Sequence, residues 1–292
     1  MILVTGATGT IGRPLIDLLV GQNAEVRAIT RNPQAAGLPT DVEVVAGDPS
    51  QPDTIIPLLG GVTSMFLHPR AVGMAAGALL TLAQECGVKR VVVLSAINVD
   101  NDFANQPSRY QRDRNKEVED AAIGSGLEWV SLRASSFAAN SIRAWGPQIQ
   151  AGDIVRYPYA AFEESPIDEQ DLAEITTRAL LTDELVDRQL ELTGPQSLTH
   201  AEMVAIIGEA IGRPLRYQEI SPEAAKQGMV EHGAPEPFVE ALMARYARDV
   251  GRPAPLTGDV EKILGRPACT FAQWAYLLTP AKGEQESRPD FE

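Results

Sequence analysis

The stretch "VTGATGTIG", residues 4 to 12, follows the apolar run "ILV" at residues 2 to 4 and leads into "TIGRPLIDLLVGQ", residues 10 to 22. The run reads as a strand. In the segment after it, Ile11, Leu15, Leu18 and Leu19 recur at helical spacing. Between the two stand Gly6, Gly9 and Gly12. The first permits a tight turn, the second lets backbone approach a pyrophosphate with no Cβ in the way, and the third lets helix pack on strand. The free N–H groups and positive dipole end of the helix then face the phosphates. A glycine pattern alone is weak evidence, but strand, loop and helix in this order point to a dinucleotide site.

Outward from that unit, strands and helices alternate. "EVRAIT" (25–30), "VEVVAG" (42–47), "VTSMFL" (62–67), "RVVVLSA" (90–96) and "LEWVSLRA" (127–134) read as five further strands. "PDTIIPLLGG" (52–61) and "AVGMAAGALLTLAQECG" (71–87) read as helices, and so does the later part of "YQRDRNKEVEDAAIGSG" (110–126). The alternation predicts an α/β, doubly wound parallel sheet, a Rossmann domain over 1–150. After about residue 140 the rhythm breaks. "LELTGP" (190–195) is expected to return a strand, near 189–194, to the sheet. The amphipathic helices within 197–213 and 236–251 are expected in a smaller α+β lobe, 151–279, that caps the substrate. The polar stretch at 280–292 is expected to be a disordered tail.

The 292 residues carry a formal net charge of −14. Such a chain repels phosphate backbones, so nucleic acid is not expected as a partner. No apolar run reaches the ~18 residues of a membrane span. No charged-then-apolar leader precedes Ile2, and a cytoplasmic protein is expected. Cys86 and Cys269 imply no disulfide framework, and Cys86, in an apolar run, is expected to be buried. His68, His200 and His232 lack metal-ligand spacing, so no metal is expected. The small residues of "GMAAGALL" (73–80) would permit close helix packing in a homodimer.

The second strand ends "AITRNP", with Thr30 where an NAD site usually has an acid, followed by Arg31. A guanidinium there suits a 2′-phosphate, so the expected cofactor is NADP(H). Asp48, after the third strand, is placed to accept from the adenine amino group.

These residues resemble a known family. "VTGATGTIG", "AITRNP", "GD" (47–48), "VKRVVVLSA" (88–96), "NKEVEDAAIGSGLEWVSLRASSFAAN" (115–140) and "LELTGPQSLTHAEMVAIIGEAIGRPLRY" (190–217) together look like the NmrA-like branch of the atypical short-chain dehydrogenases/reductases. Some members reduce quinones or small ketones, and others are regulators that sense the dinucleotide. The resemblance implies that Gly6, Thr8, Gly9, Thr10, Ile11 and Gly12 wrap the pyrophosphate, with Arg31 and Asp48 at the adenosine. It puts Leu67 under the adenosine half, Ser95 in the place of the catalytic serine, and Lys116 at the nicotinamide ribose. Ala134, Ser135 and Phe137 would flank the nicotinamide, and Phe137, Asn140 and Trp145 would shape the substrate pocket.

One departure is decisive. The usual proton device is a Tyr and a Lys four residues apart, about 40° around a helix. Tyr110 and Lys116 are six apart, about 120° if the helix has begun by residue 110, and Arg112 fills the four-residue position. Arginine stays protonated and cannot cycle a proton. Tyr110 reaches the site only if it lies in a loop before the helix. The expected function is therefore an NADPH-dependent reductase of a small conjugated acceptor (quinone, enone or imine). Ser95, Tyr110 and Lys116 are its candidate catalytic residues. A non-catalytic NADP(H)-sensing regulator is the alternative. A nucleotide-sugar epimerase is the lesser one, because that chemistry leans on the Tyr–Lys pair.

Overall fold

The structure, a computed structural model, describes residues 1–277. The tail expected at 280–292 lies outside the described residues. The strands are β1 (Ile2–Val4), β2 (Val26–Thr30), β3 (Glu43–Ala46), β4 (Ser64–Leu67), β5 (Arg90–Ala96), β6 (Glu128–Ala134), β7 (Ile154–Tyr157), β8 (Glu163–Glu164), β9 (Arg188–Leu192), β10 (Leu198–Thr199) and β11 (Arg216–Glu219). The helices are α1 (Gly12–Gly21), α2 (Pro69–Val72), α3 (Ala76–Glu85), α4 (Asn115–Ile123), α5 (Asn140–Ala151), α6 (Glu169–Leu181), α7 (His200–Ala210), α8 (Pro222–Glu231), α9 (Glu236–Asp249), α10 (Asp259–Leu264) and α11 (Phe271–Leu277).

The central sheet has seven strands in the order β3-β2-β1-β4-β5-β6-β9, every neighbouring pair parallel. The fold is the doubly wound α/β sheet that the alternation predicts. Both faces are covered, so the central strands are apolar at consecutive positions rather than at alternate ones. Val92 and Leu94 of β5 pack toward α1 and α6, while Val91 and Val93 pack toward α3 and α4. Chain order reverses between β1 and β4, and the loops after these strands frame a crevice, the usual ligand position in such sheets.

The second lobe has its own core, built from Val155, Tyr157, Phe162, Met203, Tyr246 and Trp274 with residues of α5, α8 and α9. It is discontinuous in sequence. Within 151–279, α6, β9 and α10 pack with the sheet, while α7, α8, α9 and α11 pack in the lobe. The reason lies in the residues: Leu172, Ile175, Ala179 and Leu180 give α6 a fully apolar face, and it lies against α1.

Three local expectations need correction. The segment 52–61 forms two 3₁₀ turns, Pro52–Thr54 and Ile56–Leu58, because Pro57 lacks the N–H a continuous helix needs there. The segment 71–87 is broken at Gly73, whose φ of +61° ends α2 before α3 begins. Cys86 is exposed, because it caps α3 on the solvent side.

Candidate active site

The loop after β1 is shaped by close contacts that only glycine tolerates. Gly6 has φ +64°, and a Cβ there would lie 2.9 Å from the His68 Cβ. At Gly12 a Cβ would lie 2.2 Å from the Gly6 carbonyl oxygen, and at Gly9 3.2 Å from the same atom. No side chain caps the N-terminus of α1. The loop is thus a cradle that ends at the N-terminus of α1; the Arg13 N–H is taken by the Gly9 carbonyl at 3.2 Å, and the N–H groups before it are the ones that fit a pyrophosphate. Thr5 ties it to the next strand: its Oγ1 donates to the Phe66 carbonyl at 3.0 Å and accepts from the His68 N–H at 2.8 Å.

A cleft of 1490 Å³ runs from this cradle between the sheet's loops and the smaller lobe. Gly6, Thr8, Gly9, Thr10, Ile11, Arg31 and Asp48 line one end. Arg13 steadies the segment beyond Arg31 by donating to the Ala36 and Gly37 carbonyls, each at 2.9 Å. Asp48 holds its own turn, with Ser50 Oγ donating to Oδ1 at 2.7 Å and Ser50 N–H at 3.0 Å. The Ser50 hydroxyl above all keeps that carboxyl below the usual aspartate range. Ser95, Ala134, Ser135, Phe137, Asn140 and Trp145 line the middle and far parts. Gly12 is not in the wall; its place is under the turn, where helix meets loop.

Three expected site residues are elsewhere. Leu67 is fully buried in the sheet core, and the following residue, His68, lines the cleft instead. Lys116 points away: its Nζ pairs with Asp120 at 2.9 Å and Asp100 at 3.3 Å, outside the cleft wall. Tyr110 is 42% exposed, in the 3₁₀ turn Pro107–Gln111, and also outside the wall. The helix-face comparison of Arg112 with Lys116 does not apply, because Arg112 closes that turn with φ +73° and α4 starts at Asn115.

Lys116 still has a structural role. Glu119, fully buried, accepts from Arg133 Nη2 at 2.6 Å and from Gln189 Nε2 at 3.1 Å, and also accepts from Ser131. Arg133 in turn meets Asp100 at 2.9 Å, and Asp100 meets Lys116. The chain of charges fixes α4 to β6 behind the cleft. Burial pushes the Glu119 carboxyl up, but hydrogen bonds from Arg133 and Ser131 outweigh it and hold the pKa below the ordinary value. Ser95 lines the cleft, with its Oγ buried beside this carboxylate.

Other residues that line the cleft were not among those expected. Asn115, only 6% exposed, starts α4 and lines the wall where Lys116 does not. Its Nδ2 has one long contact, 3.4 Å to Ser108 Oγ. His68 caps α2, its Nδ1 accepting the Arg70 N–H at 3.2 Å, and burial lowers its pKa to about 4, so the ring is neutral at pH 7. Arg70 holds Asp113 through two bonds, Nε to Oδ1 at 3.0 Å and Nη2 to Oδ2 at 2.8 Å. That fork pins the loop before α4 to the end of β4. "HPR" at 68–70, a cap residue followed by Pro at the first helical position, was a readable signal for this helix start.

On the lobe side, Tyr157, His200 and Tyr246 line the cleft beside Met229, Phe238 and Leu242. Trp145 is 2% exposed and makes T-shaped pairs with Tyr157 and His200, with ring centroids 5.9 and 5.7 Å away. Tyr157 and Tyr246 share a hydroxyl contact of 3.3 Å. Burial pushes Tyr157 up to about 12 and Tyr246 well above its ordinary value, so neither is a ready acid.

A model of the NAD(P)H-binding family matches residues 6–183. The chain belongs to the NAD(P)H-binding family. As the motifs suggested, its likeness is to the NmrA-like atypical reductases, and it binds NAD(P)H. This NAD(P)H-binding protein is 34% identical to an NAD(P)H azoreductase of Xenophilus azovorans, over 97% of the chain and 99% of the relative. It is 31% identical to a (4-alkanoyl-5-oxo-2,5-dihydrofuran-3-yl)methyl phosphate reductase of Streptomyces griseus, over 94% and 96%. Its fold matches an NADPH-dependent quinone oxidoreductase from Escherichia coli with a TM-score of 0.77, at 20% identity, covering 95% of the chain and 99% of the other. It also matches a Citrobacter triphenylmethane reductase crystallised with NADP(H), with a TM-score of 0.76 at 22% identity, over 95% and 99%.

Proposed function

We propose that this chain is an NADPH-dependent reductase that delivers a hydride to a small conjugated acceptor such as a quinone, enone or imine. The observation that carries the reading is the continuity of the cleft. The glycine cradle and the apolar wall of Met229, Phe238 and Leu242 open into one space. The named activities of the two relatives, reduction of an azo compound and of a furanone phosphate, support the choice of acceptor.

Bound reduced nicotinamide supplies the hydride. The chain's own residues hold and shield. Thr8, Thr10 and Ile11, with the open end of α1, take the pyrophosphate, and Arg31 takes the 2′-phosphate. Asn115 takes the role expected of Lys116, donating from Nδ2 toward the nicotinamide ribose. Ala134 and Phe137 flank the ring, and the two lobes exclude water between them. No Tyr–Lys pair lines the cleft among the described residues. The acceptor must therefore yield an anion that solvent can protonate, as a quinone or an enone does, or take the hydride as a charged iminium and become a neutral amine, rather than end as an alkoxide. A cytoplasmic setting and self-association through Gly73–Leu80 belong to the same proposal.

The test is NADPH oxidation against a panel of quinones, enones and imines. Turnover with at least one class is expected. Tight NADPH binding with no turnover on the whole panel would replace the reductase with the dinucleotide-sensing regulator.

A further inference from the structure

The cleft carries a charge opposite to that of the chain. The formal net charge of the chain is −14. Yet seven arginines and no lysine line the cleft, against three carboxylates, Asp48, Asp113 and Glu164. Asp113 is held by Arg70, and Glu164 by Arg245 at 3.1 Å. Arg31 faces Asp48 and the adenosine end. Arg114 donates to the Arg109 and Asp113 carbonyls at 2.9 and 3.0 Å. The guanidinium groups of Arg112, Arg143 and Arg156 have no ion-pair or hydrogen-bond partner among the described residues.

An exposed arginine needs no partner, because water solvates it. What distinguishes Arg143 and Arg156 is their placement. Arg143 lies on α5, and Ala144, Pro147 and Gln148 of the same helix also line the cleft, so this side of α5 is turned to it. Gln148 then grips the backbone of Arg156: its Oε1 accepts the Arg156 N–H at 2.8 Å, and its Nε2 donates to the Arg156 carbonyl at 3.1 Å. That clamp fixes β7 against α5, so the elements that carry Arg156 and Arg143 form one rim of the cleft. Both residues come after β6 in the chain, whereas Arg31 follows β2, four strands away in the central sheet. The apolar side chains of α8 and α9 line the same cleft.

We propose that Arg143 and Arg156 form an anion subsite for the acceptor, and that the preferred acceptors are conjugated molecules bearing a sulfonate, carboxylate or phosphate. The proposal rests on the reductase reading and narrows its substrate class. A guanidinium fork matches an oxyanion in two directions, and the positive rim raises the local concentration of an anion. The apolar wall takes the conjugated body.

The experiment compares 1,4-naphthoquinone-2-sulfonate with 2-methyl-1,4-naphthoquinone, in the wild type and in the Arg143→Gln, Arg156→Gln double variant. The variant should lower kcat/KM for the sulfonate by ~10-fold, through KM, and that loss should shrink at high salt. The methyl quinone should change less than ~2-fold, and so should NADPH affinity. Equal effects on both quinones, or none on either, would overturn the subsite. If neither quinone is turned over, quinones are not the acceptor class, and calorimetry decides the subsite. Naphthalene-2-sulfonate should bind the NADP⁺ complex more tightly than naphthalene-2-methanol, and only in the wild type. Equal affinities for the two would refute it.

Discussion

A guanidinium gains charge-assisted bonds from a 2′-phosphate and little from a ribose hydroxyl. Arg31 stands at the adenosine end of the cleft with Asp48 beside it, and Arg13 holds the chain that follows. Arg31→Ala should therefore weaken NADPH binding by about 1.5–3 kcal/mol and leave NADH unchanged, as calorimetric titration of both would show. Equal binding of the two dinucleotides by the wild type would refute this assignment. At the other end, Asn115 and Lys116 are neighbours with different surroundings. Asn115 lines the cleft, while Lys116 is engaged by Asp100 and Asp120 outside it. Asn115→Ala should raise the NADPH Kd by ~5-fold or more, the cost of one hydrogen bond. Lys116→Ala and Tyr110→Phe should each change Kd and turnover by less than ~2-fold. A larger effect of Lys116→Ala would restore the assignment to lysine that the sequence suggested.

At the scale of elements, α4 and β6 are joined by Glu119 and Arg133. Glu119 has no exposed side-chain surface and Arg133 has 12%. Removing one member of a buried pair strands the other, so Glu119→Ala should cost about 3–5 kcal/mol in urea unfolding at pH 7. The pH dependence has a definite sign. Glu119 titrates below its ordinary 4.5 in the folded chain, so its contribution is complete above that value and is lost as pH falls through the folded one. His68 is lowered from 6.5 to about 4, so the unfolded chain takes up its proton first, and stability falls as pH drops through that window. His68→Asn should flatten the stability curve between those pH values, and Glu119→Gln only below 4.5. The same elements mark how far the sequence could be read. The β/α rhythm, the glycine cradle and the motif stretch at 115–140 were legible because they depend on local spacing. What the motif does was not legible. A three-residue interval says that Lys116 and Glu119 are near each other, but not that the glutamate turns inward to Arg133 and the lysine outward to Asp100. The helix start was misplaced because the left-handed Arg112 leaves no periodic trace. His68, Arg70 and Asn115 were missed because their places depend on how α2 packs against α4.

At the scale of the whole molecule, two lobes with separate cores enclose one cleft, and the chain's acidic surface surrounds an arginine-rich interior wall. That arrangement draws anions inward and leaves the reacting end between apolar walls. Neutral His68 and the two high-pKa tyrosines offer no strong acid there. The central claim is direct hydride transfer to an acceptor that does not wait for a side-chain proton. Its most direct measurement is single-turnover oxidation of NADPH deuterated at the transferring position of C4, with a naphthoquinone as acceptor, from pH 6 to 8. The account predicts a primary isotope effect, a rate nearly independent of pH across that range, and deuterium lost from the nicotinamide. Tight NADPH binding with no oxidation, or a rate that follows the titration of one side chain by tenfold per pH unit, would contradict it.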